Sequence, residues 1–257
     1  MSWDPEQYLK YADERRRPAI DLLVRVTELA PPALATIVDL GCGAGNVTRL
    51  LAARWPSARI TAIDSDRAML DRAAAVTAEQ IDWQHGDIAE WRASTAPELI
   101  FSNAALHWLP AHERLLPRLL AQLAVGGVLA LQMPANFTAP SHQLLLDLAS
   151  DPGWQAAFAG VRMGAVRSAA EYHDLLAPHC RQLEIWQTTY LHVLSGDDGL
   201  LDWMRGTTLR PYLARLDAQT TEHFLAAYRA RLQAAYPRRP AGHTLFPFTR
   251  LFLLAQR

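Results

Sequence analysis

The sequence predicts an α/β fold built on a mostly parallel sheet with helices on both faces. Strand-like runs alternate with helical patterns from residue 36 to residue 133, a glycine-rich loop follows the first run, and the second run ends in an acid. Alternation of this kind implies parallel strands that are covered on both faces. Ligands of such sheets bind at the carboxyl ends of the strands.

The elements of the first half follow in a regular order. Residues 18–29 carry apolar side chains at helical spacing, and Pro31 and Pro32 end this pattern. Strand-like runs occur at 36–40, 59–63, 81–84, 98–102 and 127–133, with helical patterns between them at 46–54, 66–76 and 112–123. The last of these helices has the clearest apolar stripe, which consists of Leu115, Leu116, Leu119, Leu120 and Leu123.

The pattern changes after Pro134. A short apolar helix is expected at 141–149, and the spacing of Ser168 and Glu171 is typical of a capping box at the start of another helix. A long strand-like run at 182–194 precedes helical patterns at 197–205 and 217–235. Residues 244–255 are predicted to form the final strand.

The loop after the first strand indicates the kind of ligand. Residues 38–46 are V-D-L-G-C-G-A-G-N, and their glycines allow the backbone to turn tightly and to approach a ligand. Dinucleotide sites use G-x-G-x-x-G instead and place a pyrophosphate on a helix N-terminus. Asp39, directly before the loop, would repel a pyrophosphate and attract an ammonium or sulfonium group. Asp64, at the end of the second strand, is suited to a ribose hydroxyl pair. The pattern therefore predicts S-adenosylmethionine and argues against a nicotinamide-dependent oxidoreductase.

The composition of the chain narrows the class of protein. The 257 residues have a formal net charge of −1, which implies no general attraction to nucleic acid or to a membrane. The two cysteines form neither a disulfide framework nor a metal site, and the start of the chain lacks the pattern of a signal peptide. We expect a cytoplasmic protein that needs no metal. The oligomeric state stays open.

These motifs resemble those of the class I S-adenosylmethionine-dependent methyltransferases. The matching segments are D-L-G-C-G-A-G-N (39–46), A-I-D-S-D (62–66), H-G-D-I (85–88) and F-S-N-A-A-L-H-W (101–108). The resemblance implies that Asp87 lies beside adenine and that Asn103 faces the methionine part. It also implies a closing antiparallel strand pair. The candidate cofactor-binding residues are Asp39, Gly41, Gly43, Gly45, Asn46, Asp64, Ser65, Asp87, Ile88 and Asn103.

More of the chain resembles one member family, the trans-aconitate 2-methyltransferases. The matching segments run from W-D-P-E-Q-Y-L-K-Y (3–11) through L-Q-M-P-A-N (131–136) and G-T-T-L-R-P (206–211) to F-T-R-L-F-L-L-A (248–255). Thr208 and the stretch 149–158 depart from the family pattern. The resemblance implies methyl transfer to a carboxylate oxygen of a small polycarboxylic acid, trans-aconitate above all, giving a monomethyl ester and S-adenosylhomocysteine.

The resemblance also implies how the chain is organised. Residues 1–30 would form an N-terminal arm and helix, residues 31–138 the cofactor-binding core, and residues 139–257 the cap helices with the closing strands. Within this scheme the helices at 139–178 and 195–236 would be insertions that form a cap. Trp3, Tyr8 and Tyr11 could exclude water from the methyl donor if the arm covers it.

Arginines are the main candidates for binding the acid. Arg250 is the one charge in an apolar strand, so it needs a partner or water, and Arg210 precedes Pro211, which favours an extended conformation. A salt bridge or a solvated position is the alternative for each. The family resemblance favours carboxylate binding by both, with Arg17 and Tyr190 as further candidates.

The expected chemistry requires positioning rather than proton transfer. A carboxylic acid is already an anion at neutral pH, so we expect no catalytic base. His107 follows the fourth strand and could contact the substrate, although a packed residue is an equal alternative. Two other functions stay open, namely an S-adenosylmethionine-dependent O- or N-methyltransferase for another small acid, and a module that binds the cofactor without turnover.

Overall fold

The computed structural model describes residues 12–76 and 79–257. The aromatic residues Trp3, Tyr8 and Tyr11, expected to form a covering arm, lie outside the described residues. The described chain divides into two compact units. The sheet unit comprises residues 16–134, 166–188 and 250–257, and the helical unit comprises, among the described residues, 12–15, 135–165 and 189–249. None of the helices in the described ranges is long and apolar enough to cross a membrane.

A seven-stranded sheet organises the fold and confirms the predicted α/β class. Its strands are Thr36–Leu40 (β1), Arg59–Asp64 (β2), Ile81–His85 (β3), Leu99–Asn103 (β4), Val128–Pro134 (β5), Gln182–Ser195 (β6) and His243–Gln256 (β7). They lie in the order β3-β2-β1-β4-β5-β7-β6. Strands β1 to β5 are parallel, and β7 runs antiparallel to β5 with Val128 opposite Gln256. The expectation of an antiparallel closing strand is therefore confirmed.

Helices cover the sheet where the sequence has apolar stripes. Helix Ala12–Leu29 (α1) belongs to the sheet unit from residue 16 onward, and the other helices of this unit are Asn46–Arg54 (α2), Arg67–Ala74 (α3), His112–Gln122 (α4) and Ala169–Leu176 (α6). The predicted leucine stripe of α4 is buried, because it supplies the apolar surface that the sheet needs. Ser168 and Glu171 form the predicted capping box of α6.

Helix α6 groups with the sheet unit, although the sequence placed residues 139–178 among the cap helices. The physical reason is a side-chain contact that sequence periodicity does not reveal. The hydroxyl of Tyr172 in α6 lies 2.6 Å from Nδ1 of His112 in α4. Tyr172 is fully buried, so this hydrogen bond and the burial of its ring hold α6 to the sheet unit.

The helical unit has its own hydrophobic core. Its helices are Pro140–Ser150 (α5), Gly199–Arg205 (α7), Arg210–Leu213 (α8) and Ala218–Ala235 (α9). Phe158 packs edge-on against Tyr212 and Phe224, with ring centroids 5.2 and 4.9 Å apart. Phe158 belongs to the stretch that departs from the family pattern, so that stretch contributes to this core.

The expectation for Arg210 is wrong. The residue begins helix α8 instead of adopting an extended conformation. A proline is tolerated in the first helical turn because its missing N–H would have no partner there. Pro211 lies in that turn, and the four-residue helix starts one residue before it.

Candidate functional site

The glycine loop after β1 has the left-handed backbone that its sequence predicts. Gly41, Gly43 and Gly45 have φ angles of 79°, 54° and 76°. A Cβ atom on Gly41 would lie 2.2 Å from the Cβ of Ala105, and one on Gly45 would lie 2.4 Å from the ring of Trp83. A Cβ atom on Gly43 would meet nothing within 4 Å. The outer glycines therefore pack against protein, whereas the backbone at Gly43 is open to a ligand.

Asp64 is tied to this loop through its carboxylate. The amide of Gly43 donates to Oδ2 at 2.7 Å, and the amide of Asp66 donates to Oδ1 at 2.9 Å. Each oxygen accepts one backbone hydrogen bond, and the carboxylate is held in one orientation at the end of β2. Because a carboxylate oxygen can accept more than one hydrogen bond, both oxygens can still accept from a hydroxyl pair.

Asp39 is buried before the loop and is only 1% exposed. The Thr48 hydroxyl donates to its Oδ2 at 2.6 Å. Burial raises the pKa of Asp39 from 3.8 to about 7, the Asp64 carboxylate adds to the rise, and the Thr48 hydrogen bond opposes it. A buried carboxyl group that ionises near neutral pH is well matched to a cationic ligand.

Cys42 lies between the first two glycines of the loop and is 7% exposed. Its Sγ is 3.7 Å from the carbonyl oxygen of Gly43. Burial raises the pKa of the Cys42 thiol above its ordinary value, and the Asp39 and Asp64 carboxylates raise it further. The thiol therefore stays protonated at neutral pH.

Asp87 and Ile88 follow β3. Oδ1 of Asp87 accepts a hydrogen bond from the amide of Ala89 at 2.8 Å, while the rest of the side chain is exposed. The Ile88 side chain reaches within 3.5 Å of the Cβ position at Gly41, so it lies beside the glycine loop. Arg118 of α4 donates to the Ile88 and Ala89 carbonyls and fixes the course of this segment.

Two amide side chains lie side by side at the ends of β4 and β5. Asn103 is opposite Gln132 in the parallel register, and the Ala104 amide donates to the Gln132 carbonyl at 2.9 Å. Ala104 has a φ of 54°, which is uncommon for a residue other than glycine. The sequence analysis missed Gln132, although its signal is present as a polar residue within the apolar strand Val128–Pro134.

The segment after β4 is held by a hydrogen-bonded pair that the sequence analysis also missed. Leu106–Trp108 forms a 3-10 turn, in which His107 is 6% exposed and its ring centroid is 4.7 Å from that of Trp108. Nε2 of His112 lies 2.8 Å from the carbonyl oxygen of Leu106 and must donate to it. The Tyr172 hydroxyl is the hydrogen-bond partner of Nδ1, so both ring nitrogens of His112 are hydrogen-bonded.

Asn46 and Ser65 have polar atoms engaged within the protein. Oδ1 of Asn46 accepts a hydrogen bond from Arg49 at 3.1 Å, and the Ser65 carbonyl oxygen is 3.1 Å from Nε2 of His85. Both residues are exposed, and they directly follow Gly45 and Asp64 in the sequence.

The candidate cofactor residues all belong to the sheet unit, but the candidate substrate residues do not share one unit. Arg17 is exposed on α1 and Arg250 is 6% exposed in β7, both in the sheet unit. Arg210 is exposed and Tyr190 is buried, both in the helical unit. No group of three or more potential metal-ligating side chains occurs within residues 12–76 and 79–257.

The sheet unit thus presents a row of groups along one edge. Asp87 follows β3, Asp64 ends β2, the glycine loop follows β1, and Asn103 ends β4. Because β3, β2, β1 and β4 are consecutive neighbours, these groups lie side by side at the carboxyl ends of the parallel strands, where ligands of such sheets bind.

Comparisons with known proteins show which family the chain resembles. Residues 37–127 match the family described as a methyltransferase domain. Trans-aconitate 2-methyltransferase from Azoarcus sp. (strain BH72) is 50% identical over 258 residues, which cover 100% of this chain and 99% of that protein.

Solved structures have the same fold. The YcgJ protein from Bacillus subtilis has a TM-score of 0.61 with 14% identity, over 94% of this chain and 98% of that one. Phosphoethanolamine N-methyltransferase 2 from Haemonchus contortus, in complex with S-adenosyl-L-methionine, has a TM-score of 0.53 with 13% identity, over 92% of this chain and 52% of that one.

Proposed function

The chain belongs to the trans-aconitate 2-methyltransferase family, and on that premise we propose that it transfers a methyl group from S-adenosylmethionine to a carboxylate oxygen of trans-aconitate. The products are a monomethyl ester and S-adenosylhomocysteine. The alternative is an S-adenosylmethionine-dependent methyltransferase that acts on oxygen or nitrogen of another small acid.

One observation carries the proposal at the level of the cofactor. The Gly43 amide donates to Asp64 at 2.7 Å, which places a fixed carboxylate beside an open stretch of backbone. We assign the ribose hydroxyls to Asp64, the adenine to Asp87 and Ile88, and the methionine part to the glycine loop and Asn103. Asp39 supplies negative charge behind the loop for the cationic end, and Asn46 and Ser65 border the site.

For methyl transfer to a carboxylate, the main task of the protein is to position the two reactants. A lone pair of the carboxylate oxygen forms the new O–C bond while the C–S bond breaks, and its electrons leave with sulfur as a neutral thioether. The acid is already ionised, so no base is needed. Alignment of oxygen, methyl carbon and sulfur can supply on the order of 7–11 kcal/mol. The reaction as proposed requires no metal.

Binding of the acid requires local positive charge, because the net charge of the chain is −1. Guanidinium groups suit carboxylates through paired hydrogen bonds. We propose that Arg250 and Arg210 bind carboxylates that do not react, with Arg17 and Tyr190 as further contacts. Bound there, the arginines would not quench the charge of the reacting oxygen.

The test is turnover of a panel of acids. The full-length protein is incubated with S-adenosylmethionine labelled at the methyl group and with di- and tricarboxylic acids, and base-labile label in the product is counted. We expect trans-aconitate to give the highest kcat/KM. A clear preference for another acid would establish the alternative, and bound cofactor without turnover of any acid would refute both.

A further inference from the structure

Gln132 is a buried polar residue for which no role has yet been given. It is 1% exposed, and neither Nε2 nor Oε1 has a hydrogen-bond partner within the described part of the chain. Its neighbours along β5 are Leu131 and Met133, both fully buried. A buried amide without partners destabilises the folded protein, and an apolar side chain of similar shape avoids this cost. A polar ligand that hydrogen-bonds to this amide would remove the cost, so we expect Gln132 to contact one.

The register of the sheet places a second such group beside it. Asn103 in β4 is opposite Gln132, and its Oδ1 is likewise buried without a partner among the described residues. Register partners point to the same face, and neighbouring strands lie about 4.8 Å apart. The two amides therefore lie next to each other on one face of the sheet. On the other side of β5, Arg250 of β7 is opposite Pro134 and shares that face, since Pro134 is two residues from Gln132.

The order of strands indicates which ligand reaches Gln132. Along the sheet edge, the proposed sites for adenine, ribose and methionine follow β3, β2, and β1 with β4, and β5 is the next strand. The methionine part, which carries the reactive methyl group, ends the cofactor on this side. A group on β5 therefore lies beyond the methyl donor, where the acceptor must approach.

From this placement we propose that the side-chain amide of Gln132 holds the carboxylate that is methylated. Nε2 donates a hydrogen bond to one oxygen, and the other oxygen attacks the methyl carbon. The C–S bond breaks as the O–C bond forms, and the sulfonium leaves as a neutral thioether. The amide oxygen is left to face the cationic end of the cofactor. This inference rests on the proposed function and adds a positioning residue to it.

The chemistry explains why a neutral amide suits this position. A guanidinium bound to the reacting carboxylate would withdraw charge from the attacking oxygen, because it carries a positive charge and can donate two parallel hydrogen bonds to the two carboxylate oxygens. An amide N–H orients the carboxylate and leaves more of its charge available. In this arrangement arginines bind the carboxylates that do not react, and an amide binds the one that does. The protein would then keep its affinity for the acid without lowering the reactivity of the attacking oxygen.

The experiment compares Gln132→Met with a matched control on the same sheet. Methionine has nearly the shape of glutamine without its polar atoms, so the fold should be kept. Gln187 is an exposed glutamine of β6, and Gln187→Met makes the same chemical change away from the site. Three quantities are measured, namely kcat and KM for the acid, the dissociation constant of S-adenosylmethionine by calorimetry, and the melting temperature.

We expect Gln132→Met to lower kcat/KM for the acid by about tenfold or more. The cofactor dissociation constant should stay within about twofold of wild type, and the melting temperature should be equal or higher, because an unpaired buried amide is removed. Gln187→Met should resemble wild type throughout. Unchanged kcat/KM in Gln132→Met would mean that the amide binds only water. A fall in cofactor affinity that accounts for the whole loss would assign the amide to the cofactor. Either result overturns the proposal.

A second variant separates hydrogen bonding from shape. In Gln132→Glu the introduced carboxyl group can donate a hydrogen bond only while it is protonated, and it repels the substrate once it is ionised. We expect kcat/KM to lie below that of Gln132→Met at high pH and to recover as the pH falls. Parallel pH profiles for the two variants would contradict the proposal.

Failure of this inference is distinguishable from failure of the proposed function. All variants are assayed with the acid that the wild-type protein methylates fastest in the panel. Activity of wild type on an acid other than trans-aconitate corrects the proposed function, while the Gln132 comparison still decides this inference. A wild-type protein that methylates no acid refutes both.

Discussion

At the scale of single residues, buried charge decides most of what the site can do. Asp39 is enclosed behind the glycine loop with the Thr48 hydroxyl as its hydrogen-bond donor, and burial raises its pKa from 3.8 to about 7. A carboxyl group in this state is partly neutral at physiological pH. Arrival of a cation favours the ionised form and couples ligand binding to release of a proton.

This coupling predicts how the unfolding free energy depends on pH. The folded-state pKa of Asp39 lies above the unfolded value, so its contribution to stability is complete below pH 3.8 and is lost as the pH rises to about 7. The slope should approach about 1.4 kcal/mol per pH unit within that window. Asp39→Asn should lack this component in urea unfolding measured from pH 4 to 8. An identical pH dependence in the variant would show that Asp39 ionises normally.

The same residue predicts the pH dependence of cofactor binding. Protonated Asp39 must ionise to face a cationic methionine end, so the affinity for S-adenosylmethionine should rise as the pH increases to about 7 and then level off. Calorimetry in buffers of different ionisation enthalpy measures the proton released. Asp39→Asn should bind more weakly and release no proton, and a variant that still releases one would exclude Asp39 as its source.

The arginines predict a separate effect on the acid. Arg250→Ala and Arg210→Ala should each lower kcat/KM for trans-aconitate by about tenfold or more, because a bidentate hydrogen bond to a carboxylate is lost. Lysine at either position should recover only part of the activity. Arg215 is exposed in the helical unit, and Arg215→Ala is the matched control for Arg210. Normal turnover by both alanine variants would place the carboxylate site elsewhere.

At the scale of elements, one hydrogen-bonded chain connects three segments of the sheet unit. Tyr172 of α6 bonds to His112 at the start of α4, and His112 bonds to the Leu106 carbonyl in the turn after β4. The Arg167 amide also donates to the Tyr172 hydroxyl at 3.2 Å. The turn that carries His107 and Trp108 is therefore fixed by a helix from a distant part of the sequence.

Tyr172→Phe tests this connection. Removal of the hydroxyl leaves His112 and the Arg167 amide without their partner, which should cost about 1–3 kcal/mol of unfolding free energy. Because the turn loses its support, kcat/KM for the acid should fall as well. Tyr236→Phe removes a hydroxyl that accepts from the Ser141 amide in the helical unit, and it should lower stability without a comparable change in kcat/KM. Equal effects of both variants on kcat/KM would reduce the connection to a stability role.

Local sequence signals predicted the elements better than the contacts between them. The bounds of β1 and α2 agree with the prediction at both ends, because a β-branched run and a glycine before an apolar pattern are local features. Helix α8, the pairing of Tyr172 with His112, and the amide pair of Asn103 and Gln132 depend on residues far apart in sequence. The periodicity of the sequence does not reveal contacts between such distant residues. The one usable signal was the polar side chain of Gln132 within an otherwise apolar strand.

At the scale of the whole molecule, the sequence predicts the structure of one unit better than that of the other. The sheet unit follows from alternation of strands and helices together with the glycine motif. The core of the helical unit gathers residues from Leu145 to Phe248, so its packing is set by tertiary contacts. The candidate cofactor residues lie in the sheet unit alone, and this placement predicts where a bound cofactor should stabilise the chain.

Hydrogen exchange with and without S-adenosylmethionine measures that placement. A ligand at about 100 times its dissociation constant stabilises the folded state by about 2.7 kcal/mol. We expect the gain in protection to be greatest at residues 39–46, 63–66, 86–89 and 103–105. Asp64→Ala should remove most of the gain at the same cofactor concentration. Protection confined to the core of the helical unit would contradict the assigned site.

The protonated state of the Cys42 thiol affects whether the enzyme can be methylated by its own cofactor. Sulfonium methyl donors alkylate thiolates readily, and the thiolate, not the thiol, is the reactive form of cysteine. Cys42 lies in the very loop to which the donor is assigned, yet burial and two nearby carboxylates raise its pKa and keep its proton in place. Burial, reinforced by the negative charge that attracts the reagent, thus keeps the neighbouring sulfur in its unreactive form, and the enzyme is protected from methylating itself.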